Sequence, residues 1–378
     1  MNKKLLIVVN EDSFFLSHRL RIAELAKEKG WEVTIVAKDT GKRAFIESIG
    51  FNFIAMPVNP TGMNPIEEVK LLRFLYKLSK NNTQSVIHFV GLKNMLWGGL
   101  ASKWAHNDRI VFAVSGLGVL FGEKRSQRIT NVILKLLKIG FKGGKKTVIF
   151  QNHEDESLFL QNGICNKNQV VFLKGSGVPI EEFYSDFKKN SDKVSIVFAA
   201  RMLKEKGVLD LIEAAKILRP NYEGKIVFFL CGETRDNSDS LTKEELQDLT
   251  DDCYIKWLGY REDIPDILAK SDIMCYPSFY REGLPKCLLE AAAAGLPIIT
   301  TDSIGCRDVV EPDKNGLLVP PHSPIAIANA LERLINDKNL RERMGIVSRK
   351  KAEQEFNVEE VANKHITIYE RLIADNAS

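Results

Sequence analysis

The sequence predicts an α/β chain of two domains, each built on a buried parallel sheet, and three observations carry that prediction. Its 378 residues suffice for two hydrophobic cores of ordinary size. Short continuous apolar runs, such as LLIVV at 5–9 and VSIVFAA at 194–200, have the composition of strands buried on both faces, and helical patterns follow them. A polar segment, YSDFKKNSDK at 184–193, separates the two series and reads as a linker.

Composition narrows the class. Apolar residues at 44% and charged residues at 27% describe a soluble globular protein. The start, MNKKLLIVVNEDS, has five apolar residues before Asn10, which is too short for a signal peptide or a membrane span. Six cysteines at 165, 231, 253, 275, 287 and 306 form no C-x-x-C pair, so free thiols in a reduced cytoplasmic setting are expected. Residues 1–183 hold 26 Lys and Arg against 16 Asp and Glu, a net +10, while the rest holds 27 against 33, a net −6. An acidic second half does not suit nucleic acid. A basic first half suits an anionic partner such as a membrane surface or a lipid-linked diphosphate.

In the first half, LLIVV is followed by the loop Asn10–Ser13 and by FFLSHRLRIAELAKEKG, an amphipathic helix ending at Gly30. WEVTIVA at 31–37 is the next strand, giving a β-α-β start. It lacks G-x-G-x-x-G, which argues against a dinucleotide enzyme. His18 and Arg19 fall near the start of that helix, close to the C-terminal strand ends where such sheets bind ligands. A loop with three prolines, PVNPTGMNP at 57–65, precedes a helix with Val69, Leu72, Leu75 and Leu78 on one side. The strand SVIHFV at 85–90 leads into GLKNMLWGGLASKWA, placing Lys93 just past a strand end. RIVFAVSGLG at 109–118 is a strand ending in the turn Gly116-Leu117-Gly118. Segment 123–146 combines an apolar helical face (Ile129, Val132, Ile133, Leu136, Leu137) with Arg125, Arg128, Lys135, Lys138 and Lys142. It fits either a helix packed on the sheet or one drawn to an anionic membrane. TVIFQNHEDESLFLQNG (147–163) and VVFLKGSGVPIEEF (170–183) complete this half as strand–helix and strand–turn.

The second half restarts at 194, and its first strand runs into Arg201 and Lys206-Gly207 ahead of the helical VLDLIEAAKIL. Two cations beside a helix N-terminus form a diphosphate site. KIVFFLCGE (225–233) and Ile255–Leu258 are further strands, the latter leading into Gly259-Tyr260-Arg261. The strand of DIMCYPS precedes YREGLPKCLLEAAAAGLP, in which Glu282 lies in a loop and Glu290 eight residues on, inside a helix from Pro285 to Ala294. Gly295 and Pro297 stop that helix, and a strand begins at Ile298. Two carboxylates so spaced can address two parts of one elongated polar ligand whose charged middle sits at the helix N-terminus. NGLLVPP at 315–321 closes the sheet, and 324–378 is helical by pattern.

The stretch EGLPKCLLEAAAAGLP, with Arg201 and Lys206-Gly207, resembles the E-x7-E and R-x4-K-G signatures of retaining glycosyltransferases of family 4. NEDSFFLSHRLRIA, HFVGLKNMLWGGLASKWA and VSGLGVLFG resemble their members that build capsular and other surface polysaccharides, including those that extend undecaprenyl-diphosphate-linked sugars. The resemblance implies the GT-B fold, two Rossmann-like domains facing across a cleft: an acceptor domain at 1–183, a linker at 184–193, a nucleotide-sugar domain at 194–355 and a last helix, 356–378, crossing back. It implies diphosphate binding by Arg201 and Lys206, ribose binding by Glu290, donor-sugar binding by Glu282, and a nucleobase loop at Tyr260 and Arg261. Gly283, Leu284 and Pro285 then border the donor, and Asn10, Asp12, His18, Lys93 and Gly116 the acceptor. Ala200 stands where the family has glycine, and Leu92 where some relatives carry a histidine before the lysine.

The implied reaction moves a sugar, an N-acetylhexosamine such as GalNAc or GlcNAc, from a UDP-sugar to a polyprenyl-diphosphate-linked saccharide with retention of configuration. It needs no cofactor. No Asp-x-Asp is present to hold a metal, and the departing phosphate oxygen serves as base. The expected place is the inner face of the cytoplasmic membrane. Two other readings compete: a UDP-sugar 2-epimerase of the same fold, which needs no acceptor, and a non-catalytic sugar-nucleotide-binding protein.

Overall fold

The computed structural model describes residues 3–57, 64–118, 126–184, 193–234, 239–251 and 253–374. The chain divides into two compact units: residues 1–176 with 358–378, and residues 177–357. Most of the expected linker, and residues 58–63 of the proline-rich loop, lie outside the described residues.

The first unit holds seven parallel strands: β1 (Lys4–Glu11), β2 (Glu32–Lys38), β3 (Asn52–Ala55), β4 (Val86–Val90), β5 (Ile110–Ala113), β6 (Thr147–Phe150) and β7 (Val170–Phe172). Their order is β3-β2-β1-β4-β5-β6-β7, so the winding reverses on either side of β1. Successive side chains of a strand face opposite sides. Leu5, Ile7 and Val9 therefore pack into a core with Ile22, Ala26, Ile366 and Tyr369, while Leu6 and Val8 join Leu71, Leu75, Met95 and Leu137. This two-sided burial is why β1 reads as an unbroken apolar run.

Three expectations need correction here. The first helix is two, Asp12–His18 and Leu20–Glu28, broken at Arg19 (φ −131°, ψ −4°), whose side chain is buried and donates from Nη1 to the His18 carbonyl. On the helix Pro65–Asn81 the buried face is Leu71, Leu75 and Leu78, whereas Val69 is exposed. The short edge strand β3 was not foreseen: its four residues, NFIA, give too few alternations to register as a pattern.

The second unit holds six parallel strands: β8 (Val194–Ala199), β9 (Ile226–Cys231), β10 (Ile255–Gly259), β11 (Ile273–Tyr276), β12 (Ile298–Thr301) and β13 (Gly316–Val319), in the order β10-β9-β8-β11-β12-β13. The reversal falls between β8 and β11. The loops leaving those two strands are thus neighbours at the C-terminal edge, where open α/β sheets take ligands. These are the loops that carry Arg201–Gly207 and Ser278–Pro285.

Candidate active site

The loop after β8 runs through Arg201 and a 3-10 turn, Lys204–Lys206, into the helix Val208–Tyr222. Gly207 joins turn to helix at φ +78°, and a side chain there would overlap the Pro277 carbonyl that follows β11. Glycine is therefore required twice, for the left-handed backbone and for the close approach. That approach is reinforced by Phe279 N–H and Ser278 Oγ, both donating to the Glu205 carbonyl at 3.1 Å.

Lys206 and Glu282 meet as a result. The Lys206 ammonium donates to Glu282 Oε1, and the same oxygen accepts from the Tyr276 hydroxyl at 2.9 Å, with Ser278 Oγ 3.5 Å away. The two side chains keep only 10% and 15% of their surface exposed, so the pair is largely removed from water. Lys206 Nζ also lies 4.9 Å from the centre of the Tyr280 ring, a cation–π contact. Burial and the neighbouring Glu282 charge hold the Tyr276 phenol well above its usual range, so it stays a donor. Below the pair, Thr300 Oγ1 donates to the Tyr276 carbonyl at 2.6 Å and Thr301 Oγ1 to the Ser278 carbonyl, fixing the loop on β12.

The other side of Glu282 is fixed by the loop after β12. Glu282 N–H donates to the Ile304 carbonyl at 3.3 Å. Gly305 (φ +85°) faces the Gly283 carbonyl so closely that a side chain would overlap it. Gly283, Leu284 and Pro285 are buried, and Pro285 caps the helix Lys286–Ala293. Glu290 lies on the second turn of that helix, 16% exposed, with Lys286 Nζ 3.2 Å away. Burial raises the Glu290 carboxyl above its ordinary value, with Lys286 opposing.

Arg201 stands exposed in the same loop as Lys206. Tyr260 is exposed, and Arg261 is engaged with Asp263 through Nε at 2.8 Å and Nη2 at 2.5 Å. Gly232 N–H donates to the Gly259 carbonyl at 2.8 Å, and Ala200 N–H to Cys231 at 2.9 Å, so these loop starts share one sheet edge.

In the first unit, Asn10 accepts from Asn94 Nδ2 at 2.9 Å. Lys93 Nζ pairs with Glu68 Oε1 at 2.6 Å, while Glu68 Oε2 accepts from the Trp97 indole N–H at 2.5 Å. Asp12 is fully buried and accepts from Ser13, Thr40 and Lys42 N–H at 2.7, 2.8 and 3.0 Å and from the Thr40 hydroxyl. Burial works to raise its carboxyl, yet the hydrogen bonds outweigh it and the net shift is downward. Its side chain organises the loop after β2. His18 stacks on Phe14 at 4.3 Å between ring centres, and Gly116 takes φ +108°.

Two partners escaped sequence reasoning. Tyr276 reads only as the last residue of a strand, and Glu68 as a first-turn acid of a helix; each gains its meaning from a distant residue. Among the described residues, no group of three or more His, Cys, Asp or Glu side chains could hold a metal ion.

Residues 179–351 match the family described as Glycosyl transferases group 1, and residues 4–152 the family described as Glycosyl transferase 4-like. The chain is 27% identical over 381 aligned residues, covering 95% of it and 98% of the relative, to the N,N'-diacetylbacillosaminyl-diphospho-undecaprenol alpha-1,3-N-acetylgalactosaminyltransferase of Campylobacter jejuni. It is 25% identical to the Escherichia coli UDP-Gal:alpha-D-GlcNAc-diphosphoundecaprenol alpha-1,3-galactosyltransferase, over 84% of the chain and 83% of the relative. Among solved structures it resembles sucrose-phosphate synthase from Thermosynechococcus elongatus (TM-score 0.81, 20% identity, 99% and 100% covered). It also resembles Anabaena Alr3699/HepE in complex with UDP-glucose (TM-score 0.75, 18% identity, 99% of each chain). The chain therefore belongs to the glycosyltransferases of the GT-B fold, with a glycosyl transferase 4-like region followed by a glycosyl transferases group 1 region.

Proposed function

We propose that this glycosyltransferase moves an N-acetylhexosamine from a UDP-sugar to an undecaprenyl-diphosphate-linked saccharide, with retention at the anomeric carbon. The observation that carries the reading is the meeting of Lys206 and Glu282 beside Arg201 and the helix Lys286–Ala293, at the sheet edge where winding reverses. Similarity over 95% and 84% of the chain to two enzymes named for undecaprenol-diphosphate-linked acceptors supports the acceptor class.

In this reading Lys206 and Arg201 neutralise the leaving diphosphate through side-chain charge. The carboxylate of Glu282, already oriented by Tyr276, accepts hydrogen bonds from donor-sugar hydroxyls, and Glu290 does the same for the ribose. The leaving phosphate oxygen takes the acceptor proton on the face from which it departs, so no protein base is required. Asn10, Lys93 and Gly116 would line the acceptor side, with Lys93 oriented by Glu68. The test is release of UDP from a panel of UDP-sugars with and without a polyprenyl-diphosphate-linked saccharide. Release with one sugar, dependent on acceptor, supports the reading; conversion of the UDP-sugar without acceptor moves it to the epimerase.

A lipid-linked acceptor also calls for contact with a bilayer. The helix Gln127–Phe141 buries Thr130, Leu137, Gly140 and Phe141, with Gly140 against Gly99 of the helix Leu92–Trp104 and Phe141 stacked on Phe112, but leaves Ile129, Val132 and Ile139 exposed among Arg128, Lys135, Lys138 and Lys142. No helix among the described residues is long and apolar enough to cross a membrane. We propose that this face rests on anionic lipid. With each nearby basic residue contributing about 1 kcal/mol, the reversal Lys135→Glu with Lys138→Glu should weaken binding to phosphatidylglycerol vesicles at least ~30-fold in a sedimentation assay. Equal binding by the variant would remove the membrane role.

A further inference from the structure

The Lys206–Glu282 pair has a consequence for which nucleotides the site prefers. Glu282 is held by the Lys206 ammonium and the Tyr276 hydroxyl, with Ser278 Oγ 3.5 Å from the same oxygen. Its backbone is pinned by Ile304 and crowded by Gly305. A phosphate approaching Lys206 therefore meets a carboxylate already bound to that cation, in a place largely withdrawn from water. Like charges at close range in such surroundings repel strongly unless the carboxylate acquires new donors.

We propose that Glu282 acts as a resident counter-anion of Lys206 and sets the preference of the site for a nucleoside-diphosphate sugar over a free nucleoside diphosphate. The inference rests on the donor site proposed above. A free nucleoside diphosphate carries more negative charge at its terminal phosphate than the sugar ester does. It also brings no donor-sugar hydroxyls to replace the ammonium at Glu282. The sugar ester brings both the smaller charge and the replacement donors. Glu282 thus opposes product more than substrate, which favours release of the spent nucleotide. Arg201, exposed in the same loop, contributes attraction common to both ligands.

The test is the affinity of the full chain for UDP and for the UDP-sugar it turns over, measured calorimetrically in wild type, Glu282→Gln and Glu282→Asp. Removing the charge should tighten UDP about fivefold and weaken the UDP-sugar by a similar factor, since a partly buried charge pair is being exchanged for a neutral contact. The aspartate, which keeps the charge but draws it back from Lys206, should shift UDP the same way by less. Damage to the loop would weaken both ligands together, so shifts of opposite sign separate this role from a structural one. The same direction for both ligands, or unchanged UDP affinity in both variants, overturns the inference while leaving the donor site intact. Failure of wild type to bind either nucleotide overturns the donor site and the inference with it.

Discussion

Replacing Lys206 by alanine is expected to lower sugar transfer by about a hundred- to a thousandfold, the effect of removing one well-placed electrostatic group from a transition state. The charge that leaves with the diphosphate develops late, so the loss should fall on kcat as well as on donor affinity. The substitution also takes the ammonium away from Glu282 in its partly buried place, where the Tyr276 hydroxyl still donates to it. A stability cost of about 1–3 kcal/mol should accompany the kinetic loss. Lys204, two residues earlier and exposed, is the matched control. Its alanine variant should keep wild-type rates and melting temperature. Equal rates for Lys206→Ala and wild type would remove Lys206 from the chemistry.

The second large effect concerns acid. His88 on β4 and His365 on the helix Val358–Ala374 are buried in the first unit, their rings 5.5 Å apart, with the Arg19 guanidinium and the Tyr369 hydroxyl facing them. His88 Nδ1 bonds Tyr369 at 2.8 Å, and His365 Nδ1 donates to the Val361 carbonyl at 2.8 Å. The Nε2 atoms of both rings and Arg19 Nε have no protein partner among the described residues. Burial, then the other basic groups, push His88 well below its ordinary value and His365 down to about 3, while burial lowers Arg19 to about 10. Both histidines are therefore neutral in the fold and become protonated in the unfolded chain below about pH 6.5. The unfolded state then binds up to two more protons, so stability falls as pH falls, by up to about 2.7 kcal/mol per pH unit while both remain neutral in the fold. Denaturant titrations of the whole chain between pH 7 and pH 4 should show this slope, and His365→Gln should roughly halve it. A flat profile over that range would contradict the burial of both rings as neutral groups.

Some of this was legible in the residues and some was not. Apolar runs such as LLIVV and VSIVFAA announce buried parallel strands because both faces of each sheet are covered, and strands β1 and β8 lie where those runs stand. Glu282 and Lys206 could be singled out by spacing and resemblance, yet their pairing depends on β8 and β11 being sheet neighbours, a long-range fact that no local pattern contains. Tyr276 and Glu68 were missed for the same reason. Arg19 shows the opposite failure. Beside His18 and close to a strand end it read as a residue of the ligand edge, whereas here it interrupts the helix and enters a core with two histidines. Asp12, expected at the acceptor edge, also ties down Thr40 and Lys42, a link across the chain that no local pattern contains. Where local chemistry determines the outcome, sequence suffices; where burial determines it, the fold must be seen.

The most direct measurement of the central claim is the mass of a polyprenyl-diphosphate-linked saccharide after incubation with a UDP-N-acetylhexosamine and the protein. The account predicts a gain of one N-acetylhexosamine residue with wild type and almost none with Lys206→Ala. An acceptor of unchanged mass across the whole donor panel, with the UDP-sugar isomerised or merely bound, would contradict it.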